Sequence, residues 1–205
     1  ATTGTAFLGI SFGCARCHDH PVDPMSTEEY YQLTATFWDQ VKEAPQASKK
    51  RIAIEIKEPR VLNKGSWSSP GAKVSPGFLK VLSRKEDSYW RGSAKNELAA
   101  LGNWLTDTEH GAGELLARVI VNRLWHHHFG QGLVKTPNDF GNQGTPPTHP
   151  HLLDYLARQL IQGGWKLKPV HQLILASAVY RQAGTTDMSP LKVDAENTQL
   201  WHWRP

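Results

Sequence analysis

The chain has 205 residues, 39% hydrophobic and 20% charged, with a formal net charge of +4. That balance describes a chain that folds around a core, and the length has room for one domain or two small ones. The positive charge is not gathered into a patch, and the densest basic run, Lys49-Lys50-Arg51, has no interleaved aromatics; nucleic acid is therefore not an expected partner, and no apolar run is long enough to cross a membrane.

The chain opens Ala1-Thr2-Thr3-Gly4 without an initiator Met, as expected of an internal piece or a processed form. A Gly-rich entry leads to Cys14-Ala15-Arg16-Cys17-His18-Asp19-His20-Pro21, which holds the only two cysteines. Ser26 followed by Glu29 has the form of a capping box. With Tyr30, Leu33 and Phe37 at helical spacing, it predicts a helix from about Thr27 to Trp38. In the connector that follows, Ile52, Ile54 and Ile56 alternate with small or charged residues and predict a half-buried strand ended by Glu58-Pro59. Gly65 to Gly77 reads as irregular loop.

From about residue 93 the pattern is helical. Leu98, Leu101 and Leu105 share one helix face. Leu116, Ile120 and Leu124 share a second, which stops near Gly130. A third helix carries Leu152, Leu153, Leu156, Leu160 and Ile161, with Thr148 as its cap, Pro150 in its first turn and Gly163-Gly164 at its exit. A fourth opens at Pro169 and carries Val170, Leu173, Ile174 and Ala178. Several of the eight Trp sit at helix-compatible core positions, which reads as packing; a ligand or carbohydrate platform is the alternative. The expected fold is mainly α: a Cys/His segment with one helix (1–40), a connector with a short strand (41–92), and a domain of about four helices (93–205).

Cys-x-x-Cys-His is the spacing of covalent haem attachment: two thiols add to the haem vinyl groups and the next imidazole reaches the iron. Cys14, Cys17 and His18 would take those roles. Met25, His127, His149 and His171 are open candidates for a second axial ligand. The same residues also read as half of a zinc shell completed by His18 or His20 and a distant His, with Asp19 and Asp23 as second-shell partners or hard-cation ligands, or as a disulfide or redox cysteine pair. The second cluster is His126-His127-His128 before the long loop 130–150, which carries Asn138-Asp139-Phe140-Gly141. Helix end, loop and the His149-Pro150-His151 helix start could enclose a metal or ligand pocket using His127, Asp139 and His149. There is no Gly-x-Ser-x-Gly elbow, phosphate loop or His-Glu-x-x-His helix, so the enzyme classes those motifs define lose support.

The stretch from Phe12-Gly13-Cys14 through Asp23-Pro24 to Tyr30-Tyr31 resembles the end of the planctomycete cytochrome-c-like domain of unknown function. Arg118-Val119-Ile120-Val121-Asn122-Arg123-Leu124-Trp125, His127-His128-Phe129-Gly130, Thr136-Pro137-Asn138-Asp139-Phe140-Gly141, Pro147-Thr148-His149-Pro150 and Tyr180-Arg181-Gln182 resemble the second planctomycete domain that usually follows it. The resemblance implies an internal piece of a large secreted or periplasmic protein, whose other domains would be its neighbours. From the motif and that placement, the expected function is haem c binding, with electron transfer to a redox partner protein at the cell envelope. A zinc-dependent enzyme, acting for example on polysaccharide, whose site would join His18 and His20 to His127, Asp139 or His149, and a structural or interaction module of the cell surface are the alternatives.

Overall fold

A computed structural model describes residues 2–43, 58–182 and 189–202, and it is mainly α with one two-stranded ribbon. The strand expected over Ile52–Ile56 lies outside the described residues. The fold divides into two compact units: Ala1–Ala6 with Ile10–Glu114, and Phe7–Gly9 with Leu115–Pro205.

In the first unit, the Cys/His segment leads into α1 (Thr27–Ala35). Its start is the capping box read from the sequence: Ser26 Oγ accepts from the Glu29 N–H at 3.1 Å, and Glu29 Oε2 accepts from the Ser26 N–H at 2.8 Å. The helix stops short of Trp38. Thr36 Oγ1 donates to the Leu33 carbonyl at 2.7 Å, and Phe37 N–H turns back to Thr34. That side-chain bond competes with the helical ladder, and a separate α2 (Trp38–Glu43) follows. Two short strands, β1 (Arg60–Leu62) and β2 (Pro70–Lys73), pair antiparallel, with Arg60 opposite Lys73 and Leu62 opposite Pro70. A ribbon this small is marginal alone. It is held because Leu62 and Val74 pack with Tyr31 and Ala35 of α1.

The rest of this unit is organised by aromatics. After α3 (Ser88–Arg91), α4 (Glu97–Thr106) starts at Asn96, whose side chain accepts from the Ala99 N–H. Trp104 of α4 is fully buried and stacks on Phe78 with ring centroids 5.3 Å apart, while Trp90 of α3 meets Phe78 edge-on. Both indoles are satisfied, Trp104 by Ser83 Oγ and Trp90 by Asp107 Oδ2. Burial pushes the Asp107 carboxyl up, but the His110 N–H, the Trp90 indole and the Glu109 N–H outweigh it and hold the carboxyl below its usual range.

The second unit is a helical core. α5 (Gly113–Phe129) belongs to it from Leu115 onward and buries Ala117, Val121, Trp125 and Phe129, four residues apart on one face. α6 (Pro150–Gln162) supplies Leu153, Leu156, Ala157 and Leu160, and α7 (Leu167–Ala176) supplies Val170 and Ile174. Gly163-Gly164 end α6 as expected, with Gly164 at φ +65° and the Trp165 N–H returning to the Leu160 carbonyl. Three boundaries differ from the sequence reading. α7 starts at Leu167, so Pro169 lies inside its first turn and does not open it. Thr148 is not the α6 cap; its N–H and hydroxyl both donate to the Leu133 carbonyl, and His149 occupies the cap position without a side-chain capping bond to the helix. Ala178 is not on α7, because Ser177 ends that helix and its Oγ caps the short α8 (Ala178–Arg181). The long loop between α5 and α6 is tied down by Asn122, which exchanges two hydrogen bonds with the Val134 backbone at 3.0 and 2.8 Å.

Candidate functional site

Cys14 to Arg16 form one turn of 3-10 helix, closed by the Cys17 N–H on the Cys14 carbonyl. Ala15 points inward and is fully buried, while Cys14 and Cys17 are both free and exposed. The turn is fixed from three sides within its unit. Phe12 anchors its entry in the core, against Gly4, where no side chain would fit beside the Phe12 ring. Arg16 donates to the Gly65 carbonyl at 3.0 Å, and the Tyr31 hydroxyl donates to the Arg16 carbonyl at 2.9 Å. Gly65, at φ +70°, is the position that must be Gly: a Cβ there would stand 2.8 Å from Cys17 Sγ.

His18 is exposed, and its Nδ1–H donates to the Asp19 carbonyl at 2.7 Å. This bond fixes the ring and leaves Nε2 with its lone pair directed away from the backbone. Asp19 caps α1, its Oδ1 accepting the Thr27 N–H at 2.8 Å. His20 is different from His18. Its side chain is 4% exposed, and Nδ1 accepts the N–H groups of Val22 and Asp23, so that nitrogen shapes the turn toward α1. Asp23 is buried, with Oδ2 3.7 Å from the same nitrogen, and Met25 is buried at 4% exposure.

Beside this turn, Arg16, Tyr30, Tyr31, Trp38, Arg60 and Trp67 line a cleft of about 190 Å³. Trp67 is 41% exposed, and the buried Trp38 Nε1 has no hydrogen-bond partner among the described residues. Burial, and then the neighbouring Tyr30, push the Tyr31 phenol above its ordinary value of 10.0 against the pull of Arg16. A raised folded-state value means that this group's contribution is present below its unfolded value and is lost as pH rises through the folded one. A Tyr31→Phe variant is expected to cost about 1 kcal/mol at neutral pH through its lost hydrogen bonds. It should also lose part of the alkaline destabilisation that the parent shows above pH 10.0, measured by urea unfolding across that range.

The other residues singled out from the sequence belong to the second unit. His127 is exposed and meets the His126 ring edge-on. Asp139 Oδ1 accepts the Gly141 N–H at 2.9 Å, closing the loop turn, and His149 Nδ1 lies 3.1 Å from Thr148 Oγ1. Among the described residues, no three His, Cys, Asp or Glu side chains come together in a group that could hold a metal ion. The 130–150 loop does line a cleft of about 450 Å³, but its polar groups are Arg118, Asp154, Asn142 and Thr145. Arg118 Nε donates to Asp154 Oδ1 at 2.7 Å, a pair that sequence reasoning missed because its partners are 36 residues apart.

The family model PSD1, a protein of unknown function (DUF1553), matches residues 97–205, more than half of the chain. The chain belongs to this family. A second model, PSCyt2, also a protein of unknown function (DUF1549), matches residues 1–42. These are the planctomycete cytochrome-c-like domain and the domain that follows it. The PSD1 region begins at the first residue of α4 and contains the Asn122 clamp and the Arg118–Asp154 cleft; the PSCyt2 region contains the Cys14–His18 turn. No curated protein and no solved structure matches the chain. No described helix is long and apolar enough to cross a membrane.

Proposed function

We propose that this PSD1 chain carries haem c, attached through Cys14 and Cys17, with His18 Nε2 as an axial ligand, and serves a redox role at the cell envelope. The observation that carries the reading is the turn itself. Two free, exposed thiols sit three residues apart on a fixed turn, and the next residue is a His whose Nδ1–H is already committed to a carbonyl. That donor set fits covalent attachment and axial ligation. When bound, haem supplies one-electron chemistry at an iron whose potential its protein ligands set.

The chain's own residues do the positioning. Arg16 and Tyr31 hold the turn, Gly65 leaves room for the Cys17 sulfur, and the Asp19 carbonyl orients His18. Exposure of both thiols would give an attachment machinery access without unfolding the unit. Outside the cytoplasm, a free exposed Cys-x-x-Cys pair is prone to oxidation, and thioether formation removes that fate. Produced in an exporting host with a haem-attachment system, the chain is expected to show a Soret band that persists after denaturation. A colourless exported protein would overturn the reading. Zinc bound at one equivalent through the same thiols would replace it with the metal-site alternative.

A further inference from the structure

We propose that His128 and His171 form a binding site for a divalent transition-metal ion such as Zn²⁺, independent of the Cys14–His18 turn. His128 lies in the last turn of α5, and its Nδ1–H donates to the Leu124 carbonyl at 2.7 Å. This fixes the tautomer and leaves the lone pair on Nε2, the arrangement by which a backbone carbonyl prepares a histidine for a metal. His171, on α7, places its Nδ1 3.3 Å from that Nε2, with the rings 5.0 Å apart and tilted by 47°.

The separation has two readings. As a hydrogen bond it lies beyond the usual N–H donor range of about 2.7–3.2 Å. As the edge of a coordination tetrahedron it fits, because two nitrogens at about 2.0–2.1 Å from a tetrahedral ion stand roughly 3.3–3.4 Å apart. Binding would need the His171 proton to move from Nδ1 to Nε2, a tautomer change, while the backbone stays in place. The helices cannot drift apart easily, since Trp125 and Phe129 beside His128, and Val170 and Ile174 beside His171, are all buried in one core. Tyr180 forms a side wall, its ring 6.0 Å from His128 and 5.9 Å from Phe129. Two imidazoles leave two positions of a tetrahedral shell to water, so the site would be open and its ion exchangeable.

Zn²⁺ titrated into the full chain labelled with ¹⁵N at histidine tests this. The expected result is a shift of His128 Nε2 and His171 Nδ1 with saturation at one equivalent for that pair, whatever the thiols bind. His171→Gln should raise the apparent Kd of this component at least about tenfold, since losing a ligand costs no less than losing an outer partner. His127→Gln, which alters an exposed neighbour, should leave it unchanged. Zn²⁺ shifts confined to His18, His126 or His127, no histidine shift at all, or equal affinity in a folded His171→Gln chain would overturn the proposal. Folding of that variant is checked by circular dichroism.

Discussion

A chain carrying Cys14→Ala and Cys17→Ala together is expected to keep its fold and hold no haem. Both side chains are exposed, and neither belongs to the buried core, so truncating them should change stability by less than about 0.5 kcal/mol. What anchors the turn is elsewhere: Phe12 and Ala15 in the core, Arg16 on Gly65, and Tyr31 on the Arg16 carbonyl. The effect on covalent haem should nevertheless be complete, because no other Cys exists in the sequence to form a thioether. Each single variant should retain haem through its remaining sulfur. Absorbance after denaturation, beside urea unfolding of the same samples, separates loss of attachment from loss of fold. A double variant with parental unfolding and parental absorbance would contradict the assignment of these thiols.

Replacing Asn122 by Ala is expected to give the largest loss of stability among single polar substitutions in the second unit. The residue is fully buried, and it donates to the Val134 carbonyl and accepts the Val134 N–H. Truncation strands both backbone groups in the core. An unsatisfied buried group costs about 1–3 kcal/mol, so the pair implies about 2–6 kcal/mol. Typical domains have only about 5–15 kcal/mol of total stability, so this is a large fraction. Gly132 closes over the clamp, where a Cβ would stand 2.8 Å from Asn122 Nδ2, leaving little space for a rearranged side chain to substitute. Chemical denaturation followed by tryptophan fluorescence measures the loss, with buried Trp125 as the reporter of this unit. A change below about 1 kcal/mol would show that the loop is held without the clamp.

Local features carried the helices into the sequence, and long-range ones were hidden from it. The faces of α4 and α6 were legible from apolar spacing, as were the Ser26–Glu29 box and the Gly163-Gly164 exit, because each is decided within a turn or two of chain. On α5 the spacing picked Leu116, Ile120 and Leu124, one residue off the buried row from Ala117 to Phe129, and on α7 it grouped the exposed Leu173 with buried Val170 and Ile174. The early end of α1 was not, since it turns on one Thr36 hydroxyl choosing the Leu33 carbonyl. Thr148 looked like a helix cap by type and position, yet the distant Leu133 carbonyl claims it. Pairing of β1 with β2 fell partly in a stretch whose Gly, Ser and Pro content reads as loop. At the site, Cys14, Cys17 and His18 stood out because their spacing is itself the chemistry. The His128–His171 and Arg118–Asp154 pairs did not, because partners 43 and 36 residues apart meet only through helix packing. The sequence favoured His127 over His128 without means to tell their directions. In the fold His127 is exposed while His128 faces α7.

Peptide mass mapping of the exported protein tests the central claim most directly. After reduction and digestion, the peptide spanning Cys14 to His18 should carry the added mass of one haem, with neither thiol open to alkylation. The same peptide at its unmodified mass, with both thiols alkylated, from protein made alongside a working haem-attachment system, would contradict the account.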